Sequence, residues 1–411
     1  MTKVFQPLRS LDDALAELLG HARPLSRTEE VSTFEADCRV LAQDVVSELH
    51  VPGFDNSAMD GYALRMADAP QAGALLQVTQ RIAAGHFGRA LHAGEAARIF
   101  TGAPVPEGAD AVVMQEDVID LGDVHQGRVQ INAAPRAGQW IRKAGEDIAQ
   151  GAVVLSNGQL LNPASLGLLA SVGLAQVLVQ APVRVALFST GDELVMPGAV
   201  APSAMKPGAI YNSNRFFLRA LLKRLGCEVT DMGIVPDQRQ ATIDVLQSAA
   251  QQHDLILTSG GVSVGEEDHV KPAVQALGSL DLWAISMKPG KPFAYGKVGA
   301  SHFIGLPGNP VSSYATFLLL VRPFVGALLG QQVVATPSIA LPAHFTLALA
   351  DKRREFLRAR RNAAGGVELY PNQSSGVLTS MAWADGLVDN PAFTTIAHGD
   401  TVRFIPLSEL H

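Results

Sequence analysis

Between residues 183 and 329 the chain alternates short aliphatic runs with stretches of helical periodicity, and no other feature limits its fold as much. Strand-like runs at 183–188, 229–235 and 255–258 are separated by helical spacing at 214–225 and 240–251. Further short strands are expected at 282–287 and 302–304, and a long helix from Pro310. Strand-helix repetition of this kind predicts a mainly parallel sheet with helices on both faces. Ligands of such sheets bind beyond the carboxyl ends of the strands, so the loops after each run are where chemistry is expected.

Those loops are rich in polar and glycine residues. They read Ser189-Thr190-Gly191-Asp192-Glu193, Val235-Pro236-Asp237, Thr258-Ser259-Gly260-Gly261-Val262-Ser263-Val264-Gly265-Glu266-Glu267-Asp268, Met287-Lys288-Pro289-Gly290-Lys291-Pro292 and Gly305-Leu306-Pro307-Gly308-Asn309-Pro310. One such loop alone is most simply a turn. Several on one edge point to phosphate, because glycines let backbone N–H groups face an anion and a helix opening at Pro310 behind Asn309 offers free amides. Glu193, Asp237 and Asp268 would repel phosphate unless a hard cation lay between, and carboxylates with phosphate oxygens are a donor set for Mg2+. Taken singly, Glu193 and Asp237 serve equally well as helix caps or solvated loop residues. Lys288 and Lys291, flanked by prolines, are suited to neutralising phosphate or an incoming oxyanion.

The remainder of the chain reads as smaller modules. Residues 11–19 and 33–41 have helical spacing, with Ser32 and Glu35 placed as a capping box. Short β-like runs at 75–78, 97–100 and 111–115 suggest a mostly β module over 46–136. After 137 come two strand-like pieces around Gly145 and Gly151, then a helix start with Asn162 as N-cap and Pro163 as first residue. Runs at 333–335, 345–348 and 401–405 suggest a small β domain over 331–411.

Composition excludes several classes of function. The net charge of -7 disfavours a polyanion partner such as nucleic acid, so an anionic ligand must be held locally. Only Cys38 and Cys227 occur, too few for a disulfide framework or a cysteine metal site, which suggests a reducing compartment, the cytoplasm. The longest apolar stretches, such as 314–321, fall short of a bilayer span, and the N-terminus lacks a secretory apolar run. No Walker A, GxGxxG or HExxH pattern is present, so P-loop hydrolysis, dinucleotide binding and that zinc chemistry lose ground.

A second polar cluster lies in the β module: Asp55-Asn56-Ser57-Ala58-Met59-Asp60-Gly61-Tyr62 and Phe100-Thr101-Gly102-Ala103-Pro104-Val105-Pro106. On their own these are most simply structural turns, and the basic run Lys352-Arg353-Arg354-Glu355-Phe356-Leu357-Arg358 a solvated face.

The polar runs at 55–62 and 101–103, together with Gly145-Glu146-Asp147 and the runs at 189–194, 259–265, 288–292 and 306–310, resemble in order the signature runs of the MoeA family, bacterial relatives of the gephyrin E domain. The resemblance spans nearly the whole chain. It implies an elongated discontinuous first domain (1–45 and 137–181), a β-rich inserted domain (46–136), an α/β molybdopterin-binding domain (182–330) and a C-terminal β domain (331–411). It also implies a homodimer whose site combines the third domain of one subunit with the second and fourth of the other.

The implied activity is insertion of molybdate into adenylylated molybdopterin with release of AMP, giving the molybdenum cofactor. On the resemblance Asp60 and Thr101 reach the site from the second domain, and Glu193, Asp237 and Asp268 serve the magnesium and phosphate region. Ser259, Gly260, Gly261, Ser263, Gly265, Lys288, Lys291, Pro307, Gly308, Asn309, Pro310, Arg353 and Ser375 are the implied substrate contacts. Two positions depart from the family pattern: Asn212, where Asp is frequent, and His269, where an aromatic residue is frequent. The attacking oxygen of molybdate or of water is left open. The rival readings are a molybdopterin adenylyltransferase, against which the Asp60 and Thr101 modules argue, and a non-catalytic cofactor carrier or scaffold. Other cofactor-biosynthesis proteins are conceivable partners.

Overall fold

Along the strand Arg184–Thr190, Val185 and Leu187 face one side and Ala186 and Phe188 the other, and all four are fully buried. A strand buried on both faces belongs inside a covered sheet. The computed structural model, which describes residues 8–122, 127–261, 269–331 and 336–410, places it there. The sheet order is Glu228–Val235, Arg184–Thr190, Leu255–Ser259, Ser301–Leu306, Pro292–Val298, Gly278–Ala284. The first four strands are parallel, and the last two are each antiparallel to their inner neighbour.

Two cores flank this sheet. Val185, Leu187, Leu255, Leu257 and Ile304 pack with helix Asn214–Arg224, the helical segment 310–328 and the N-terminal helix Leu11–His21. On the other face Ala186, Phe188, Ile256 and Phe303 meet helices Arg239–Gln252 and Val270–Leu277. The helix starting at Pro310 contains a π-helical turn, Phe317–Val321, just before Pro323, whose missing N–H cannot continue an α ladder. This segment, Pro310–Leu328, is long and apolar enough to span a bilayer, contrary to the expectation from 314–321 alone. Most of it is buried inside the protein, as the central helix of the core.

The structure corrects the expected strand at 282–287. The strand is Gly278–Ala284, and Met287–Lys288 pairs instead with the C-terminal domain. Pro292, expected to end a loop, instead opens a mostly buried antiparallel strand, Pro292–Val298. Because Gly278–Ala284 is reversed twice relative to Ser301–Leu306, it runs in the parallel sense, and the loop 285–291 still emerges at the carboxyl edge.

In the β-rich unit a six-stranded sheet has the order Ala111–Met114, Gly61–Leu64, Glu95–Ile99, Ala74–Ile82, Arg128–Ile131, Val118–Asp120. Gly61 is obligatory there: a Cβ would lie 1.9 Å from the Val113 carbonyl oxygen. Linking this unit to the α/β domain are paired strands Thr28–Ser32 with Gln176–Gln180 and Val45–Val46 with Val153–Leu155, around a core of Leu41, Leu155, Leu161, Leu169 and Val179. Asn162 caps helix Pro163–Ser171 by accepting from the Ser165 N–H, as its sequence predicts. The helix expected over 33–41 is only a 3-10 turn, Thr33–Glu35, capped by Ser32. Cys38 adopts φ 61°, and Val40 and Leu41 bridge to Leu160 and Val179, so extended pairing replaces the helix.

The C-terminal sheet runs Met287–Lys288, Arg354–Arg361, Gly386–Asn390, Thr401–Pro406, Ile339–Pro342. The run at 345–348 is no strand, Leu347 making only an isolated bridge to Ile396, and 333–335 lies outside the described residues.

Candidate active site

The carboxyl edge of the parallel sheet is knitted together by side chains from different loops. Ser259, at the end of its strand and 3% exposed, accepts from Asn214 Nδ2 at 2.7 Å and donates to the Pro307 carbonyl at 3.3 Å. The same Asn214 amide donates to the Gly308 carbonyl at 2.7 Å. Gly260 and Gly261 hold φ of 98° and 66°, the left-handed region that favours glycine. A Cβ on Gly261 would lie 2.5 Å from Val270 Cγ2 and 2.9 Å from Thr190 Oγ1. Backbone and polar groups thus lie side by side with no side chain between them, the arrangement an anion needs.

Helix Pro310–Thr316 opens at this edge with Asn309 as N-cap and Pro310 at its first position. Its Val311 N–H donates to the carbonyl of Ser375, so the C-terminal domain reaches the helix entrance. Pro307 is buried and Gly308 and Asn309 are exposed. Across the edge, the Asp192 and Asp237 N–H groups donate reciprocally to each other's carboxylates at 3.2 Å. Glu193 is exposed and folds over Gly191, where a Cβ would meet its carboxylate at 2.6 Å. Ser263, Gly265 and Asp268 lie outside the described residues. Among the described residues no group of three or more His, Cys, Asp or Glu gathers as a metal cluster. The exposed Asp192 and Glu193 and the half-buried Asp237 are hard-oxygen donors beside this edge, a set that fits Mg2+.

Lys288, expected to neutralise phosphate or an incoming oxyanion, is paired with Asp351 at 3.1 Å and Glu355 at 2.9 Å, both from the C-terminal domain. Burial alone would lower its pKa, but these two hydrogen-bonded carboxylates outweigh that and raise it. Arg353 joins the cluster through Asp351, at 3.2 and 3.3 Å. The Arg353 hydrogen bond, opposed by burial and reinforced by Lys288, holds the Asp351 carboxyl well below the usual carboxylate range. Lys291 is exposed.

Asp60 and Thr101 meet in the β-rich unit. Gly61 pairs with Ile99 in antiparallel strands, so the residue before one and the turn after the other fall at the same end. Asp60 Oδ1 accepts from both the N–H and the hydroxyl of Thr101, which hold its pKa low. Nearby Asp55 has a structural task, accepting from Lys143 Nζ and the Ala144 N–H.

Sequence reasoning left Asn214, Asp192, Asp351 and Glu355 out of the candidate set. Of the two departures, Asn212 is buried and accepts from the Arg215 N–H at 3.3 Å, and His269 stands at the N-cap of helix Val270–Leu277.

The parallel sheet with its polar carboxyl edge is thus joined to a β insert and a C-terminal β domain that each carry charged groups, a multidomain arrangement of an α/β sheet with two β units. Residues 9–173 match the MoeA N-terminal region (domain I and II), 186–327 the probable molybdopterin binding domain and 340–407 the MoeA C-terminal region (domain IV). The molybdopterin molybdenumtransferase of Haemophilus influenzae is 39% identical, covering 98% of this chain and 99% of its own. Molybdopterin molybdenumtransferase 2 of Mycobacterium tuberculosis is 38% identical over 92% of this chain and 93% of its own. The crystal structure of the molybdopterin biosynthesis MoeA protein from Pyrococcus horikoshii superposes with a TM-score of 0.85 at 28% identity, covering 97% of this chain and 100% of that one. The chain belongs to the MoeA family.

Proposed function

We propose that the protein is a molybdopterin molybdenumtransferase, which inserts molybdate into adenylylated molybdopterin and releases AMP. The observation that carries this reading is the joining of the Ser259, Pro307 and Gly308 loops through Asn214 at an edge that also bears Asp192, Glu193 and Asp237. A phosphoanhydride binds there through backbone amides of the glycine loop, beside the entrance of the helix at Pro310, where the Val311 N–H is already taken by the Ser375 carbonyl. Glu193, Asp237 and Asp268 are the residues assigned to Mg2+, which supplies charge neutralisation of the phosphate oxygens when bound. Lys288, Lys291, Arg353 and Ser375 form the end where the oxyanion enters, and molybdate or water supplies the attacking oxygen.

Asp60 and Thr101 stand in a unit with no phosphate loops of its own, which favours a site shared between the two subunits of a homodimer. The setting we infer is the cytoplasm, where Cys38 and Cys227 stay free. The test is incubation of the purified protein with adenylylated molybdopterin, Mg2+ and molybdate. AMP and active cofactor should form together. Binding of the pterin without turnover would leave a carrier, and consumption of ATP to adenylylate molybdopterin would leave an adenylyltransferase. Light scattering at micromolar concentration should give a dimer.

A further inference from the structure

Lys288 stands where two sheets meet. The segment Met287–Lys288 runs parallel to Arg354–Arg361 with Lys288 opposite Glu355, so strand register brings the ammonium to the carboxylate. Glu355 is 3% exposed, and its Oε2 has no hydrogen-bond partner among the described residues. Its ion-pair partner among those residues is Lys288. Burying a carboxylate with one oxygen unsatisfied is unfavourable, and an apolar side chain of similar volume would serve packing better. Stability therefore gives no reason for Glu355 to be there.

Geometry gives one. An ammonium has three donors. Asp351 and Glu355 occupy two of them, at 3.1 and 2.9 Å, which fixes the direction of the third. The formal charges of Lys288 and Arg353 are cancelled by those of Asp351 and Glu355. An oxyanion at this point is held by aimed donors and not by excess positive charge.

We propose that Asp351 and Glu355 are positioning residues that aim Lys288 at the incoming oxyanion and weaken its hold enough for the anion to pass on to the pterin. This rests on the reading of Lys288 as an oxyanion ligand. Removing either carboxylate leaves the cluster with a net positive charge and frees the ammonium to turn. The oxyanion then binds more tightly but in the wrong place.

The test uses the full-length protein, with molybdate binding measured by calorimetry without pterin and AMP release measured against molybdate concentration. Glu355→Gln and Asp351→Asn should each bind molybdate roughly 3- to 30-fold more tightly, as expected for loss of one nearby like charge at an intermediate dielectric. The KM for molybdate should fall while kcat drops by roughly 10-fold or more through misalignment. Molybdate affinity that is unchanged or weaker, or kcat that is unchanged, overturns the proposal. A purely structural role would lower the melting temperature without this split between KM and kcat. Asp351 is less buried than Glu355, so Asp351→Asn decides the matter if Glu355→Gln fails to fold. Lys288→Ala separates the two layers. If that variant binds molybdate normally, the ligand reading of Lys288 fails; if binding is lost while the carboxylate variants behave as wild type, only the positioning proposal fails.

Discussion

Asp60 and Thr101 are 41 residues apart in sequence, yet one carboxylate oxygen of Asp60 accepts both the N–H of Thr101 at 2.8 Å and its hydroxyl at 2.7 Å. Among the described residues the second oxygen of Asp60 accepts no hydrogen bond. Asp60→Asn preserves size and can keep the accepting oxygen, so a turn-stabilising role would survive the change with little loss of stability. A role at the reacting centre would not. Turnover at saturating molybdate and substrate is expected to fall roughly 10- to 1000-fold with folding and dimerisation intact. Normal turnover would remove Asp60 from the site.

The carboxylates of Glu193 and Asp237 are expected to act through a divalent cation. AMP release should disappear in excess chelator, return on adding Mg2+, and fall roughly 10- to 100-fold in Glu193→Gln or Asp237→Asn, the usual scale for loss of an outer-shell metal partner. Full activity in chelator would end the metal assignment.

Asn214 donates from one nitrogen to two acceptors, Ser259 Oγ and the Gly308 carbonyl. Replacing it by Asp should be worse than replacing it by Ala, because a carboxylate would face an acceptor while Ala merely leaves it unsatisfied. Losses of about 1 to 3 kcal/mol are expected for Asn214→Ala and more for Asn214→Asp, with a higher KM for the pterin substrate. Chemical denaturation and initial rates on the same preparations would show whether the order is reversed.

At the opposite edge of the sheet, Asp254 accepts from Arg27, from Arg184 Nη2 and from the Arg184 N–H. Burial would raise its pKa, but these hydrogen bonds outweigh it and bring the carboxyl down to about 2 from 3.8. A depressed folded-state pKa means stability that is present above the unfolded value and is lost as pH falls from 3.8 toward about 2. Asp254→Asn should lower stability near neutrality by about 1.5 to 3 kcal/mol, the range for hydrogen bonds to charged groups, and flatten that acid dependence. Urea titrations between neutrality and the acid limb that gave parallel curves for both proteins would contradict the assignment.

The unbroken burial of Val185, Ala186, Leu187 and Phe188 is why the parallel sheet was legible: a strand covered on both sides reads as a continuous apolar run, and here such runs alternate with helical stretches. Asn162 and Pro163 were legible for a similar local reason. Pro292–Val298 was not, since a strand that opens on proline after Gly290 looks like a turn until its two neighbours are known. Of the site, glycines and helix entrances announce themselves within a few residues. The ties of Lys288 to Asp351 and Glu355 do not, because the partners come from another domain and their spacing along the chain carries no periodic signal. Asp60 and Thr101 stood out only through the family resemblance, and their meeting depends on the Gly61 and Ile99 register.

One short segment belongs to two sheets' worlds at once. The loop 285–291 leaves the carboxyl edge of the α/β sheet, and within it Met287–Lys288 is an outer strand of the C-terminal sheet. Any swing of the C-terminal domain must therefore drag this loop with it or break backbone pairing. Movement of the C-terminal domain and displacement of Lys288 are thus a single mechanical event, because one strand pairing couples them.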